Sequence, residues 1–272
     1  MRMLRWLFPF LLTSLFTAHG AAPTVTESTW HGFRRIDFTF EGHPAVLVFP
    51  PHAAPGKPWV WRAEWFGDAH APQASLALVA RGWHLAYLQA SDLYGAPVAM
   101  KLFDAFHRRL TSEYGLSPKV VLEGVSRGGL YAFNFAADYP EHVAALYLDA
   151  PALDIRSWPG PKSPLWPECL RCYGLTPAEA ATAKVSPLDR IEPVARAGIP
   201  IIGVSGDADE TVSYPANLGR LAELYRAAGG TIQVIIKPGG KHHPHSLTDP
   251  TPIVDFILKA AGRPRDKGLG TK

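Results

Sequence analysis

The sequence predicts an α/β fold in which helices cover both faces of a mostly parallel sheet. Short apolar runs of strand length alternate with segments of helical periodicity, and this alternation is typical of parallel sheets. A tight turn with flanking glycines, at residues 124–128, joins one such run to one such helix. The chain has 272 residues, of which 47% are hydrophobic and 19% charged, so it can bury a large core as one domain.

Each element is predicted from residue type and from the glycines and prolines that bound it. Strands are expected at the apolar and β-branched runs, two of them within 25–50 and the others at 59–63, 83–88, 119–123, 143–148, 199–205 and 231–237. Helices are expected where apolar residues recur with helical spacing, at 75–81, 96–114, 130–137, 187–197, 215–228 and 252–261.

Residues 153–186 interrupt this alternation. The segment holds several prolines, two tryptophans and both cysteines of the chain. We interpret it as a lid inserted over the carboxyl edge of the sheet, because a disordered linker would leave its aromatic side chains exposed to water. Cys169 and Cys172 are expected to form a local disulfide that staples the lid, since no second cysteine pair completes a zinc site.

The N-terminus is predicted to be a signal peptide at 1–20, which leaves a single mature domain at 21–272. Arginines precede an apolar stretch at 7–16, and small residues at 18 and 20 precede the cleavage point. The expected location is therefore secreted or periplasmic. No other segment is long enough to cross a membrane. The formal net charge of +3, without a long basic run, argues against nucleic acid as a partner.

The turn at 124–128 has the spacing G-x-S-x-G, with Ser126 at its apex. Gly124 and Gly128 lack side chains, so strand and helix can approach closely and hold the serine in a strained conformation. The helix N-terminus supplies free N–H groups and a positive dipole end below the hydroxyl. An ordinary turn with a surface serine is the alternative, but the strand before and the helix after favour a nucleophile elbow.

A serine nucleophile needs a base to take its proton and an acid to orient that base. Both partners should lie in loops at the carboxyl ends of later strands. The candidates in such loops are Asp149, Asp207, Asp209, His242, His243 and His245.

These motifs, in this order, resemble the α/β-hydrolase superfamily, whose triad runs serine, acid, histidine. Residues 206–212 are similar to its G-x-x-D-x-x-V segment, which implies Asp209 as the acid. Residues 238–245 are similar to P-G-x-G-H-x-P-H, which implies His242 as the base, with Lys241 where the family often has glycine. The resemblance covers about 45–258. It implies an α/β-hydrolase fold without a cofactor, and a metal site at the histidines is disfavoured because no carboxylate cluster accompanies them.

An oxyanion hole needs two N–H donors. The backbone N–H of Arg127, directly after the nucleophile, is predicted to be the first. The second is expected from the loop after 59–63, where many family members have His-Gly and this chain has E-W-F-G. Trp65 is predicted as that donor, with Glu64 as the alternative.

The side chain of Arg127 has two interpretations. It could recognise an anionic or hydroxyl-rich substrate, or it could pair with Glu64 or Glu123 and brace the site. An aromatic wall beside it is expected from Tyr94, Trp158 and Trp166, together with Trp65. Flat aromatic faces suit sugar rings or phenolic acids.

The sequence therefore predicts a secreted serine hydrolase that cleaves carboxylic esters through an acyl-enzyme. The expected substrate is a small-molecule or saccharide ester, including esters of plant-wall material. One alternative is a peptidase, because the late motifs resemble the hydrolase domain of the prolyl-oligopeptidase group, although the propeller that those enzymes use to select peptides is not in this sequence. An inactive binding protein is the other, and the intact Ser126, Asp209 and His242 argue against it. The oligomeric state is not predicted.

Overall fold

The computed structural model describes residues 25–262, so the predicted signal peptide at 1–20 lies outside the described residues. The strands are β1 (Thr26–Trp30), β2 (Phe33–Phe40), β3 (His43–Val48), β4 (Trp59–Arg62), β5 (His84–Leu88), β6 (Val120–Val125), β7 (Val143–Asp149), β8 (Ile201–Gly206) and β9 (Ile232–Lys237). The α-helices are α1 (Gln73–Val79), α2 (Pro97–Glu113), α3 (Gly128–Asp138), α4 (Trp166–Tyr173), α5 (Pro177–Ala180), α6 (Ile191–Arg196), α7 (Leu218–Ala227) and α8 (Thr251–Ala261).

All nine strands form one sheet, in the order β1-β2-β3-β5-β4-β6-β7-β8-β9. The first three strands pair antiparallel with one another, and β3 pairs antiparallel with β5. From β5 onward every pairing is parallel. The carboxyl ends of the parallel strands therefore meet at one edge of the sheet, where the loops that carry the candidate residues also lie.

Helices cover both faces of the sheet. Alternate residues of β3 enter two separate apolar cores, Leu47 in one and Val48 in the other. Phe103 of α2 packs in the first core, and Ile257 of α8 packs in the second. This arrangement confirms the predicted α/β class with a mostly parallel sheet. No helix within residues 25–262 is both long and apolar enough to span a bilayer.

The N-terminal region differs from the prediction, because residues 25–50 form three strands instead of two. The additional strand is β1, whose sequence TESTW is exposed at its first four residues. An exposed edge strand carries no apolar alternation, so the hydrophobic pattern does not reveal it. The predicted helix at 187–197 is also divided, into a 3-10 turn at Pro187–Asp189 and α6.

The segment at 153–186 is ordered around α4 and α5. Cys169 and Cys172 both lie on α4 and are free thiols, so the expected disulfide is not formed. Residues three apart on a helix have Cβ atoms about 5–6 Å apart, whereas a disulfide needs about 3.5–4.5 Å. Burial raises the pKa of the Cys169 thiol to about 12. That the segment acts as a lid stays a prediction.

Candidate active site

Ser126 lies in the turn between β6 and α3 with a φ of +52°, in the left-handed region that non-glycine residues rarely adopt. The turn is held from the neighbouring segment after β7. The Ser126 N–H donates to the Asp149 carbonyl at 2.8 Å, and the Ser126 carbonyl accepts from the Ala152 N–H at 2.8 Å. These two bonds fix the backbone on both sides of the serine hydroxyl.

The glycines of the motif allow the strand and helix to approach closely. A Cβ added to Gly124 would lie 2.9 Å from the Gly128 carbonyl oxygen, and one added to Gly128 would lie 3.0 Å from the Glu64 Cβ. Backbone cannot move aside as a flexible side chain can. The close approach of strand and helix that the sequence predicts is present at Gly124, whereas Gly128 packs against the loop after β4.

The structure brings together the three residues that the sequence assigns to catalysis. His242 Nε2 lies 2.9 Å from Ser126 Oγ, and His242 Nδ1 lies 2.7 Å from Asp209 Oδ2. All three residues are buried. With the Nδ1–H donated to the carboxylate, Nε2 carries the lone pair that can accept the serine proton.

Asp209 is fixed by its own loop after β8. Its Oδ1 accepts the backbone N–H groups of Thr211 and Val212, each at 2.8 Å, while Oδ2 faces the histidine. The carboxylate thus accepts three hydrogen bonds and has a side-chain exposure of 0%. Such a group holds the imidazole ring in one orientation.

The alternative acids have other partners. Asp207 is exposed, and its Oδ1 accepts the Gly239 N–H at 2.6 Å, which links the loops after β8 and β9. Asp149 is fully buried, and its Oδ2 accepts the Ser246 N–H. Burial raises the pKa of the Asp149 carboxyl to about 7. Both residues therefore support the loop that carries His242.

The alternative histidines lie beside His242. His243 is exposed, whereas His245 is buried and its ring lies edge-to-face with His242 at a centroid distance of 4.8 Å. Burial, assisted by the neighbouring histidines, lowers the pKa of His245 to about 3, so this ring is neutral at physiological pH. The three histidines could present metal-ligand atoms within 4.8 Å of one another. Because both nitrogens of His242 are engaged, however, the arrangement favours a base over a ligand.

The loop after β4 carries the predicted oxyanion residue Trp65, which has a φ of +60°. Burial raises the pKa of the Glu64 carboxyl in the same loop, against the opposing effect of Arg127. Among acceptors within residues 25–262, none is bonded to the Arg127 N–H, which leaves that donor free beside the nucleophile. Both oxyanion donors stay predictions.

Arg62 holds that loop and was missed by sequence reasoning. The Arg62 guanidinium donates to the Trp65 carbonyl at 2.9 Å and to two further carbonyls near residue 70. It also lies 3.3 Å from Glu123 Oε1, with both side chains at most 2% exposed. The available signal is a charged residue inside an otherwise apolar strand, since such residues are seldom buried unless paired.

The predicted aromatic wall is corrected by the structure. Tyr94 is 1% exposed and Trp166 is 7% exposed, and both pack in an apolar core. The Tyr94 hydroxyl donates to Glu168 of α4 at 2.8 Å. Trp158 is half-buried, with its ring centroid 6.4 Å from that of Tyr94. Docking of α4 onto the loop after β5 therefore removes two of the expected faces from solvent.

The sheet and the serine turn, with an acid and a histidine from later strand ends, define an α/β hydrolase. The chain belongs to the prolyl oligopeptidase family, whose model matches residues 99–262. It is accordingly a serine hydrolase, and this confirms the superfamily resemblance. No curated protein matches the sequence.

Several solved structures are similar to this chain. Porphyromonas gingivalis dipeptidyl peptidase 4 matches 87% of the chain with 16% identity and a TM-score of 0.64, and the chain spans 35% of that protein. An S-formylglutathione hydrolase from Agrobacterium tumefaciens matches 87% with 16% identity and a TM-score of 0.62, over 98% of its own length. A cold-adapted esterase from an Arctic intertidal metagenomic library matches 87% with 15% identity and a TM-score of 0.57, over 97% of its length. At these identities the likeness shows the fold.

Proposed function

We propose that the protein is a carboxylesterase that works through an acyl-enzyme on Ser126. The observation that carries this proposal is the pair of hydrogen bonds at 2.9 and 2.7 Å that join Ser126 to His242 and His242 to Asp209. His242 Nε2 takes the hydroxyl proton as Oγ attacks the ester carbonyl, and Asp209 stabilises the imidazolium that forms.

The second half of the reaction uses the same groups. The imidazolium gives its proton to the departing alkoxide, which is released as the alcohol. The acyl group remains bonded to Oγ. His242 then takes a proton from water as the water oxygen attacks the acyl carbonyl, and returns that proton to Ser126 when the acid departs. In both steps we assign the stabilisation of the negatively charged carbonyl oxygen to the backbone N–H groups of Arg127 and Trp65.

The choice of esters over peptides is supported by the S-formylglutathione hydrolase and the cold-adapted esterase, which match the chain over 98% and 97% of their lengths. Peptide cleavage is the second candidate, because the family is that of prolyl oligopeptidase and a dipeptidyl peptidase is among the similar structures. Tyr94 and Trp166 are buried and offer no exposed ring face for stacking on a sugar. The proposed substrate is therefore a small-molecule ester and not a saccharide ester.

The test compares p-nitrophenyl butyrate with glycyl-proline p-nitroanilide, using the wild type and Ser126→Ala. We expect ester turnover that Ser126→Ala abolishes, together with covalent labelling of Ser126 by a fluorophosphonate. A higher kcat/KM on the anilide would move the assignment to peptidases. If the fluorophosphonate does not label the wild type, the protein is a binding protein instead.

A further inference from the structure

The guanidinium of Arg127, the residue directly after Ser126 in the chain, has few partners among the described residues. It has five N–H donors, and its one hydrogen-bonding contact is from Nη2 to Glu64 Oε1 at 3.5 Å. Its Nε is buried and has no partner among the described residues, while the side chain as a whole is 12% exposed. Polar groups so far removed from water normally have acceptors, so donors remain for a ligand.

Two aromatic rings hold the guanidinium in place. Its central carbon lies 4.8 Å from the ring centroid of Trp65 and 5.6 Å from that of Tyr94. Such contacts stabilise a cation over the ring face but leave its N–H groups free to donate. The rings come from the loops after β4 and β5, so the position of the charge is set by the scaffold.

Glu64 is a weak counter-ion for this charge. Its Oε1 accepts a hydrogen bond from Ser91 at 2.5 Å, and its buried Oε2 has no partner within the part of the chain that the structure describes. Burial raises the pKa of the Glu64 carboxyl against the opposing effect of Arg127. Arg62, the neighbouring buried cation, differs because it has three backbone carbonyls and Glu123 around it.

We propose that Arg127 binds a carboxylate of the substrate, so that the enzyme prefers esters with a negative charge close to the scissile bond. This inference rests on the proposed esterase function. The planar guanidinium matches the two oxygens of a carboxylate, and such charge-assisted bonds are among the strongest in proteins. Half-esters of short dicarboxylic acids are the substrate class with this chemistry on the acyl side.

The experiment compares mono-p-nitrophenyl succinate with p-nitrophenyl butyrate, in which a methyl group stands in place of the carboxylate. We expect the wild type to favour the succinate in kcat/KM, and Arg127→Gln to lower the succinate-to-butyrate ratio by about 10- to 100-fold, the value for one hydrogen bond to a charged group. Arg127→Lys keeps the positive charge but loses the planar guanidinium that can bind both carboxylate oxygens. An intermediate succinate-to-butyrate ratio is therefore expected. The ratio within each variant cancels general losses of activity.

The matched control is Arg220→Gln, which removes an exposed arginine of α7 whose one ion-pair partner among the described residues is Glu223. This variant should keep the wild-type ratio. Raising the salt concentration should reduce the wild-type preference, because the charges are partly exposed to screening. A second pair, 4-acetoxybenzoate and phenyl acetate, places the carboxylate on the alcohol side and shows which side Arg127 faces.

The inference is overturned if the wild type shows no preference in either pair, or if Arg127→Gln keeps the preference. If no ester is turned over, the esterase proposal fails separately, and calorimetric titration with glutarate then tests the binding site alone. Glutarate should bind the wild type and Arg220→Gln but not Arg127→Gln. Equal binding to all three, or no binding to the wild type, would refute a carboxylate site.

Discussion

The two sides of the proposed active site differ in how completely their polar groups are partnered. On one side, Asp209 accepts three hydrogen bonds and His242 uses both ring nitrogens. On the other side, within residues 25–262, Arg127 has one hydrogen-bonding contact at 3.5 Å, and Glu64 has a buried oxygen without a partner. A buried network in which every polar group is hydrogen-bonded is rigid. A network with unpaired polar groups costs free energy until a ligand supplies the missing partners. On the proposed assignments, the catalytic groups are positioned before the substrate binds, and the substrate supplies the missing hydrogen-bond partners of the recognition groups.

The largest expected effect on activity comes from replacing Asp209, the acid on the fully hydrogen-bonded side of the site. Asp209→Asn should lower kcat on p-nitrophenyl butyrate by about 10,000-fold, because the amide favours the wrong histidine tautomer. The measurement is steady-state kinetics, with the fold checked by circular dichroism. Asp207→Asn is the matched control, since the Asp207 side chain accepts the Gly239 N–H and, among the described residues, does not contact His242. An equal loss in the two variants would contradict the assignment of the acid.

A second prediction concerns Arg62, which has three carbonyl acceptors and Glu123 around it. Arg62→Met leaves Glu123 buried without its charge partner, so the free energy of unfolding should fall by about 3–5 kcal/mol. Urea denaturation measures this change. The double variant Arg62→Met/Glu123→Leu should recover part of the loss, because no unpaired charge remains. No recovery would show that the carbonyl contacts of Arg62, and not the pair, supply the stability.

The comparison is sharpened by Asp149 and His245. Their Oδ1 and Nδ1 atoms lie 3.9 Å apart, and neither has a hydrogen-bond partner within residues 25–262. Burial raises the pKa of Asp149 from 3.8 to about 7, so the folded protein holds a proton that the unfolded chain releases, and stability falls as pH rises through this range. Burial lowers the pKa of His245 from 6.5 to about 3, so its contribution to stability rises with pH up to about 6.5. The contributions of Asp149 and His245 to the pH dependence of stability therefore have opposite signs.

Replacing either residue should therefore reveal how the other one changes the free energy of unfolding with pH. Between pH 4 and 6.5, Asp149→Asn should gain stability with rising pH more steeply than the wild type. His245→Gln should gain less or lose stability over the same range. Urea denaturation at a series of pH values tests this, and parallel curves for all three proteins would show that neither group titrates as described.

The smallest expected effect on stability is that of Arg127→Gln. Among the described residues, Arg127 makes one hydrogen-bonding contact at 3.5 Å and cation–π contacts with Trp65 and Tyr94. The free energy of unfolding should therefore change by only about 1 kcal/mol. The measurement is urea denaturation beside Arg62→Met. A loss as large as that of Arg62→Met would mean that Arg127 is a structural cation and not a recognition group.

The fold and the three proposed catalytic residues follow from the sequence because local signals carry them. Strand length, helical spacing and the G-x-S-x-G turn are each encoded in adjacent residues, and the acid and histidine are tied to strand ends. The burial of Tyr94 is not local, because it depends on Glu168 and the docking of α4 some seventy residues later. The state of Cys169 and Cys172 likewise depends on the segment forming a helix, which its prolines obscure.

The positive φ of Ser126 also limits which nucleophiles the site can accept. Threonine carries the same hydroxyl, yet its branched Cβ makes the left-handed conformation a severe outlier. Cysteine has an unbranched Cβ and avoids that additional penalty. At position 126 the backbone, before any question of reactivity, therefore restricts the nucleophile to side chains without a branch at Cβ.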